Sequence, residues 1–395
     1  MYKKNKLKAK QLKNKYKDIL KEMTFIGVTG TNGKTTVTTL VYKYFKFNNK
    51  KITLIGTNGI YINDDHYESI NTTPGIEKLY NIIIESYNLG IRTIVMEVSS
   101  HAIKQYRVYG IKFEVKAITN ITIDHLDYHK TFKDYKKTKF RFLKHSKVLI
   151  NDEIDYVKIN PFKKIYKYGM NDSYFNMSNL LISEDGIKFK LNINNNSYVI
   201  KSNLLGEFNC YNILLFIGII YLLGEFDYYK LTNFLNEKIT IDGRMERFNI
   251  NDKTIIVDYA HTPDGMDKIL SFVYETYKNN IITIFGCGGN RDQSKRELMG
   301  EVASLYSDYL IITNDNPRNE DEMDIINDIL KGVTTKYKVI PNRKDAIDYG
   351  LSLLNNFNVL VILGRGNEDY IKIKDNLIPF NDVNYIKEML NDYIK

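Results

Sequence analysis

The sequence predicts an α/β protein in which a mostly parallel sheet with antiparallel edge strands is followed by a second α/β domain. Three observations predict this class. Apolar strand-like runs alternate with helical runs early in the chain, residues 178–201 switch to a period-two pattern with turn residues, and a second alternating series follows Asp242. Alternating strands and helices are typical of a parallel sheet covered by helices, whereas the period-two pattern indicates antiparallel strands.

The first series opens with a short buried strand and a helix on either side of a glycine-rich turn. The pattern then predicts strands at 51–57, 92–98 and 116–122, helices near 75–88 and 132–145, and an apolar helix at 208–223. After a change at Asp242-Gly243-Arg244, the second series predicts strands at 254–260, 282–288, 309–315, 336–340 and 358–364. We therefore predict a basic segment at 1–23, a central domain at 24–243 and a C-terminal domain at 244–395.

Composition excludes several classes of protein. None of the apolar runs reaches the eighteen residues that suggest a membrane span, and residues 1–23 lack the apolar core of a secretion signal. Cys210 and Cys287 have no metal-binding spacing and indicate a reduced, cytoplasmic setting. The net charge of +9 is concentrated in residues 1–22, where nine lysines face Asp18 and Glu22. The rest is near neutral, which argues against nucleic-acid binding.

The basic segment has two interpretations. A solvated, frayed helix is favoured, and contact with an anionic partner or membrane surface is the alternative. Neither interpretation assigns it a specific role.

A glycine-rich turn, GVTGTNGKTT, runs from Gly27 to Thr36 between the first strand and helix. Such a turn presents backbone N–H groups and the positive helix end to a polyphosphate. Lys34 would reach the outer phosphates, and the hydroxyl of Thr35 or Thr36 would bind Mg²⁺. Five residues rather than four separate Gly27 from Gly33, so a plain glycine-rich turn is the alternative. The context predicts a bound nucleoside triphosphate.

Polar side chains follow the next predicted strands. Glu97 and Ser99 end one strand, in MEVSSH, where a carboxylate can hold a metal ion near a triphosphate. A helix cap from Ser99 or Ser100 explains this segment equally well. His125 follows the next strand, and Lys139 lies on the following helix among other lysines. Their spacing alone does not separate a functional role from a structural histidine and a solvated lysine.

Several motifs in order resemble those of Mur ligases, and most closely those of the UDP-N-acetylmuramoyl-tripeptide synthetase (MurE) branch. The resemblance covers the chain from residue 24 onward and is carried by GVTGTNGKTT, NTTP (71–74), MEVSSHAIKQYRV (96–108), NITIDHLDYH (120–129), YKKTKFRF (135–142), GEFNCYN (206–212), DGRMERF (242–248), VDYAHTPDG (257–265), GCGGNRDQSKRELMG (286–300) and DNPR (315–318). It implies a P-loop-type central domain, a Rossmann-like C-terminal domain and an ATP-dependent, ADP-forming ligase. Such a ligase activates an acceptor carboxylate as an acyl phosphate and joins it to an amino acid during peptidoglycan synthesis.

The resemblance also implies roles for individual residues. The catalytic set is Lys34, Glu97, His125 and Lys139, and the metal set is Thr35, Glu97, His125 and a carbamylated Lys139, because a carbamate offers Mg²⁺ an anionic oxygen. ATP would contact Gly30, Thr31, Asn32, Gly33, Lys34, Thr35, Thr36, Asn209, Asn212, Arg244, Asp258, Tyr259 and His261. The acceptor would contact Thr72, Thr73, Ser99, Gln105 and Arg107. The amino acid would contact Arg291, Asp315, Asn316, Arg318, Gly364 and Glu368.

The amino-acid side favours a diamino acid. DNPR resembles the family's signature for meso-diaminopimelate, where an arginine grips the distal carboxylate, although a plain turn is the alternative. Lysine-adding relatives tend to lack that arginine, but lysine stays a candidate. The family's GKGHE motif reads Gly364-Arg365-Gly366-Asn367-Glu368 here, so the surroundings of the amino acid have changed.

The segment before Gly27 is another departure, because relatives carry a UDP-binding domain there. The expectation is that this domain is lacking, and that the acceptor differs or a partner protein supplies the missing surface. Expected partners are otherwise small molecules, with no nucleic acid and a monomeric chain. Two alternatives stand beside the peptidoglycan ligase: a related ligase for a non-UDP-muramoyl acceptor, such as a polyglutamate- or cyanophycin-like carrier, and a non-catalytic ATP-binding subunit.

Overall fold

The computed structural model describes residues 2–69, 71–155, 164–250, 253–278, 280–355 and 357–393. The chain divides into two compact units. Met1–Ile123 and His129–Ile239 form the first unit, while Asp124–Tyr128 and Thr240–Lys395 form the second. The domain bounds 24–243 and 244–395 stay sequence-based predictions. No helix within the described ranges is long and apolar enough to cross a membrane.

An eleven-stranded sheet forms the centre of the first unit. Its strands are β1 (Thr24–Thr29), β2 (Thr53–Gly56), β3 (Gly59–Ile62), β4 (Asp65–Tyr67), β5 (Thr93–Glu97), β6 (Phe113–Ile118), β7 (Lys147–Asn151), β8 (Lys164–Gly169), β9 (Phe175–Ser183), β10 (Gly186–Ile193) and β11 (Asn196–Ser202). Their order is β11-β10-β9-β8-β7-β6-β1-β5-β2-β3-β4. The strands from β9 to β2 in this order pair in parallel, while β9-β10-β11 and β2-β3-β4 are antiparallel.

The helices of the first unit are α1 (Tyr2–Lys15), α2 (Lys17–Glu22), α3 (Lys34–Phe47), α4 (Ile76–Asn88), α5 (Ser100–Lys104), α7 (Phe132–Leu143), α8 (Glu207–Leu222) and α9 (Tyr228–Asn236), and α6 (Leu126–His129) begins in the second unit. Helix α8 is apolar on every side because it is buried among α3 and the strands β6 to β10. Packing against α8 fixes the position of α3, which begins at Lys34 at the end of the glycine-rich turn.

The second unit contains a six-stranded sheet of order β12-β13-β17-β14-β15-β16. Its strands are β12 (Glu246–Ile250), β13 (Lys253–Asp258), β14 (Ile281–Phe285), β15 (Tyr309–Ile312), β16 (Lys336–Val339) and β17 (Val359–Leu363). All pair in parallel except the edge strand β12. A hairpin of β18 (Tyr370–Ile373) and β19 (Asn376–Pro379) and the helices α10 (Pro263–Tyr277), α11 (Lys295–Tyr306), α12 (Glu322–Leu330), α13 (Arg343–Leu353) and α14 (Asp382–Tyr393) complete it. The predicted fold class is confirmed, including the antiparallel edge at 178–201.

The basic segment forms helices, but the expectation of a solvated, frayed helix is wrong for one face of α1. Ala9 is fully buried against Ile76 and Tyr80 of α4, and Leu12 packs against the same cluster. Lys8 also pairs with Glu77 at 2.6 Å. The small side chain of Ala9 permits this close approach, while most lysines of the segment stay exposed.

Candidate functional site

The glycine-rich turn joins the end of β1 to the start of α3, as predicted. Gly30 has φ +145° and Gly33 has φ +83°, backbone conformations that residues other than glycine rarely adopt. A β-carbon at Gly33 would clash with Oδ1 of Asn212 on α8. Glycine is therefore required at position 33 both for its backbone conformation and for the close approach of Asn212. Helix α3 begins directly after it, and the first N–H groups of a helix point outward from its N-terminal end.

The loop is anchored to the residues that follow β6. Thr31 N donates to Asn120 O at 3.0 Å, and Asn32 N donates to Asn120 Oδ1 at 2.9 Å. Thr119 Oγ1 donates to Asn32 O at 2.6 Å. These bonds fix the shape of the loop before a ligand arrives, which reduces the entropy lost on binding.

Lys34 folds back over this loop. Its Nζ donates to Thr31 O at 2.7 Å and to Gly30 O at 3.1 Å. The ammonium therefore lies against the backbone of the turn, where it can replace these two hydrogen bonds with hydrogen bonds to phosphate oxygens.

Glu97 lies at the end of β5 and is fully buried. Its Oε1 accepts from Thr35 Oγ1 at 3.0 Å and from Thr57 N at 2.8 Å, while Oε2 accepts from Thr57 Oγ1 at 3.2 Å. The structure thus brings together two oxygen groups of the predicted metal set, Thr35 and Glu97. Thr57 was absent from the predicted site, although its place at a strand end was the available signal.

Lys139 is buried beside the same loop. Its Nζ donates to Gly30 O at 2.6 Å and lies 4.5 Å from the ring centroid of Tyr135. The hydroxyl of Tyr135 is in turn 3.1 Å from Thr31 Oγ1. The alternative of a solvated Lys139 is wrong, and Tyr135 is a loop contact that the sequence analysis missed.

His125 belongs to the second unit, whereas Thr35, Glu97 and Lys139 belong to the first. It has φ +54°, and its Nε2 lies 3.3 Å from Asp124 Oδ2. Among the described residues, no group of three or more His, Cys, Asp and Glu side chains is arranged to hold a metal ion. The set within the first unit is Thr35 and Glu97, with Lys139 beside Gly30 of the same loop.

The predicted acceptor residues form one hydrogen-bonded cluster in the first unit. Thr73 Oγ1 donates to Glu97 O at 2.8 Å and accepts from Ser99 N at 3.1 Å. Arg107 donates to Thr73 O at 2.6 Å and, through Nε and Nη2, to Gln105 Oε1 at 2.9 and 2.7 Å.

Two further contacts complete this cluster. Thr72 Oγ1 lies 3.1 Å from Thr57 Oγ1. Ser99 also caps α5, because its Oγ accepts from Ala102 N at 3.2 Å, so the cap alternative is confirmed. The cluster therefore connects the predicted acceptor residues to the strand end that carries Glu97.

Both units contain predicted nucleotide residues. In the first unit, Asn212 Nδ2 donates to Asn209 Oδ1 at 2.9 Å beside Gly33. In the second unit, the Arg244 guanidinium lies 4.2 Å from the Tyr259 ring centroid. Asp258, at the end of β13, accepts from Met245 N at 2.8 Å and Ala260 N at 2.7 Å.

Burial shifts the pKa values of two groups in the second unit. It raises the pKa of Asp258 to about 6, although Arg244 and three backbone N–H groups act in the opposite direction. It lowers the pKa of His261 to about 4, and the charge of Lys295 acts in the same direction. His261 is therefore neutral near neutral pH.

The predicted amino-acid residues come together at the ends of β15 and β17. Asn316 Nδ2 donates to Asp315 Oδ1 at 2.9 Å and to Glu368 Oε2 at 2.8 Å. Tyr259, which stays a predicted nucleotide contact, donates to Glu368 Oε1 at 3.1 Å. Burial and the charge of Asp315 raise the pKa of Glu368. The two carboxylates offer a negative site suited to an ammonium group.

Arg318 follows two residues after Asn316, and its Nη1 donates to Asn316 O at 3.3 Å. Its Nη1 donates to Gly289 O at 2.7 Å, and a β-carbon at Gly288 would approach Nη1 to 2.7 Å. Burial, followed by repulsion from Arg291, lowers the pKa of Arg318. Two guanidinium groups that repel each other form a positive site suited to a carboxylate. Gly364, at φ +112°, passes close to Asp315.

Sequence profiles described as the Mur ligase middle domain and the Mur ligase, glutamate ligase domain match residues 28–220 and 243–366. UDP-N-acetylmuramoyl-L-alanyl-D-glutamate–2,6-diaminopimelate ligase 1 of Clostridium acetobutylicum is 37% identical over 391 residues, which cover 97% of this chain and 80% of that protein.

Solved structures agree with these matches. The structure of a UDP-N-acetylmuramoyl-L-alanyl-D-glutamate–2,6-diaminopimelate ligase has a TM-score of 0.67 at 29% identity and covers 100% of this chain and 83% of its own. Folylpolyglutamate synthase of Mycobacterium tuberculosis, complexed with ADP and AMPPCP, has a TM-score of 0.74 at 17% identity and covers 91% of this chain and 92% of its own. At that identity the likeness shows the fold alone.

Proposed function

This chain belongs to the Mur ligase family of ATP-dependent, ADP-forming ligases, and from that premise we propose that it joins diaminopimelate to the D-glutamyl carboxylate of UDP-N-acetylmuramoyl-L-alanyl-D-glutamate. In the proposed reaction, a carboxylate oxygen attacks the γ-phosphorus of ATP and ADP leaves. The amine of diaminopimelate then attacks the acyl carbon, and phosphate leaves as the amide forms. The product belongs to peptidoglycan synthesis.

Contacts in the first unit support the phosphoryl-transfer half of this proposal. Lys34 lies at the mouth of the glycine-rich turn, where an ammonium stabilises charge on a transferring phosphoryl group. Thr35 Oγ1 and Glu97 Oε1, 3.0 Å apart, are hard oxygen donors that fit Mg²⁺ when phosphate oxygens complete its shell. When bound, Mg²⁺ supplies charge neutralisation on those phosphates. His125, which belongs to the second unit, stays a predicted metal ligand.

The environment of Lys139 supports its proposed carbamylation. A neutral lysine amine that adds CO₂ loses one proton and keeps one N–H. That N–H can still donate to Gly30 O, which is 2.6 Å from Nζ, while the new carboxylate serves as an oxygen ligand. Burial protects the carbamate from exchange with water. Acyl phosphates hydrolyse, so exclusion of water also serves the ligation itself.

The observation that carries the proposed substrate is the charge distribution in the second unit. Asp315 and Glu368 share Asn316 as a donor, whereas Arg318 and Arg291 repel each other nearby. An amino acid with an ammonium at one end and a second, distal carboxylate fits both sites, and diaminopimelate has these groups. Lysine lacks the distal carboxylate.

A crossed panel tests this proposal. The chain is incubated with ATP and either UDP-linked dipeptide or free γ-glutamyl peptide, each with diaminopimelate or lysine, and ADP and product mass are measured. We expect one product, from the UDP-linked dipeptide and diaminopimelate. A lysine product would overturn the amino-acid assignment, and absence of ADP formation with every pair would overturn ligase activity. The monomeric state, a partner protein and the cytoplasmic setting stay predictions.

A further inference from the structure

We propose that Arg365 is a positioning residue, which holds Asn316 and Glu368 in the arrangement that receives the amino group of the incoming amino acid. The inference rests on the proposed function and extends it to a residue that differs from the family's GKGHE motif. It concerns contacts within the second unit alone.

Arg365 is completely buried at the turn that follows β17. Its Nη2 donates to Tyr370 O at 2.9 Å, Phe380 O at 3.1 Å and Glu368 O at 3.3 Å. Its Nη1 donates to Asn316 Oδ1 at 3.4 Å and lies 3.6 Å from Glu368 Oε2. One guanidinium group therefore connects the β18–β19 hairpin to Glu368 of the proposed ammonium site and to Asn316, which donates to both carboxylates of that site.

The orientation of the Asn316 amide depends on these contacts. Its Oδ1 accepts from Lys372 N at 2.7 Å and from Arg365, so that end of the amide must be the oxygen. The NH₂ end is then directed at Asp315 and Glu368, at 2.9 and 2.8 Å. Loss of Arg365 would remove one of two donors that set this orientation.

The buried ion pair of Arg343 and Asp382 lies next to the Arg365 guanidinium. Asp382 accepts from Arg343 Nε at 3.0 Å and from Nη2 at 2.6 Å, and both side chains are fully buried. Asp382 Oδ1 lies 3.8 Å from Arg365 Nε. The carboxylate is thus shared between two arginines, which offsets the cost of burying the Arg365 charge.

Lysine could not reproduce this arrangement. The planar guanidinium places donors on separate nitrogens and reaches three carbonyls and an amide oxygen together, whereas lysine offers donors from a single atom. The change from the family's lysine to Arg365 is therefore more than conservation of charge. It adds a rigid connection to the amino-acid site.

The test compares R365K and R365M with the unchanged chain in steady-state kinetics. We expect the KM for diaminopimelate to rise about tenfold or more in both variants, because hydrogen bonds to charged groups at the amino-acid site are lost. The KM for ATP should stay unchanged. R365K keeps the charge and guards against a failure of R365M to fold. An unchanged KM for the amino acid in R365K would overturn the proposal.

The pH profile separates positioning from simple stability. Asp315, Tyr259, Arg318 and Arg343 also act on Glu368, and Arg365 lowers its pKa. Removal of the charge in R365M should therefore move the acidic limb of kcat/KM for the amino acid to higher pH. A merely structural role would leave that limb in place.

The matched control is T283V, which deletes a buried hydrogen bond of the same unit, between Thr283 Oγ1 and Ser307 Oγ at 2.7 Å. We expect T283V to lower the melting temperature without changing the KM for diaminopimelate. If R365K, like T283V, leaves the KM for diaminopimelate unchanged, the positioning role is wrong.

Calorimetry measures the binding of diaminopimelate without turnover. Weaker binding by R365K supports the positioning role even if the proposed ligation fails. Absence of binding by the unchanged chain would overturn both proposals.

Discussion

Lys139 illustrates how a helix can bury one lysine among several exposed ones. Tyr135, Lys139 and Phe142 are buried at helical spacing on α7, whereas Lys137 on the same helix is exposed. Spacing of the lysines alone did not distinguish Lys139, but the apolar face on which it lies was a usable signal. Its contact with Gly30 could not be predicted, because it depends on how α7 packs against the loop after β1.

Replacement of Lys139 with alanine should abolish turnover. The substitution removes the amine that would carry the carbamate, and added bicarbonate should not restore activity, because alanine cannot react. ADP release with saturating substrates measures this. The matched control, K137A, alters an exposed lysine of the same helix and should keep full activity. Full activity in K139A would contradict the proposed ligand.

Thr57 should influence metal binding through Glu97. T57V removes the hydroxyl that donates to Glu97 Oε2 at 3.2 Å, while the backbone N–H bond at 2.8 Å remains. Groups that hydrogen-bond to a metal ligand typically contribute tenfold or more to metal affinity. The Mg²⁺ concentration needed for half-maximal nucleotide binding should therefore rise about tenfold in T57V. The control is T53V, on β2, which loses only a bond to Ser86 Oγ at 2.8 Å. Equal Mg²⁺ dependence in both variants would refute the role.

At the scale of elements, the sequence predicted what depends on local pattern. Apolar runs identified β1, β5 and the parallel strands of the second unit, and alternation identified β9 to β11. The hairpin β3–β4 was missed because its strands are short, and β4 is exposed throughout. The strand predicted at 116–122 is displaced: β6 spans Phe113–Ile118, and Thr119 and Asn120 leave the strand to bind the loop.

Burial of Ala9 should determine whether α1 stays docked. A9E places a carboxylate in the cluster of Ile76 and Tyr80, where an unpaired charge is costly, so α1 should detach. Limited trypsin digestion measures this, because the lysines of α1 become cleavable when the helix unfolds. The control is K10A, which changes an exposed neighbour and should be cut as slowly as the unchanged chain. Equal cleavage of A9E would show that the contact contributes little.

At the scale of the whole molecule, the two units carry different parts of the proposed chemistry. The first unit offers Lys34, Thr35, Glu97 and Lys139 for phosphoryl transfer, and the second offers paired carboxylates and guanidiniums for an amino acid. Single-sequence patterns identified the strand ends that carry these groups. They did not identify Thr57 or Tyr135, whose roles arise from contacts between distant parts of the chain.

Two buried groups should give the second unit opposing responses to pH. His261 has a pKa lowered from 6.5 to about 4, so the stability it contributes is present above 6.5 and is lost as pH falls toward 4. Asp258 has a pKa raised from 3.8 to about 6, so its contribution is lost as pH rises through that range. In H261N only the second response remains. Relative to the unchanged chain, H261N should gain up to about 3 kcal/mol in free energy of unfolding on acidification, since each pKa unit corresponds to 1.36 kcal/mol.

Denaturant unfolding of both proteins at neutral pH and near pH 5 measures this difference. A difference that does not change with pH would contradict the assignment of His261 as a buried neutral group.

Arg318 should set the choice of amino acid without affecting the nucleotide. Its fork can hold a distal carboxylate in bidentate fashion, which lysine cannot reproduce, so R318K should raise the KM for diaminopimelate about tenfold or more. ATP binding should be unchanged, because Arg318 is not among the predicted ATP contacts. The matched control is R247K, the same substitution at an exposed arginine of the second unit. Since lysine lacks the distal carboxylate, any residual ligation of lysine should be equal in R318K and the unchanged chain. A parallel loss with both amino acids would show instead that Arg318 supports the fold of its loop, where its Nη1 donates to Gly289 O.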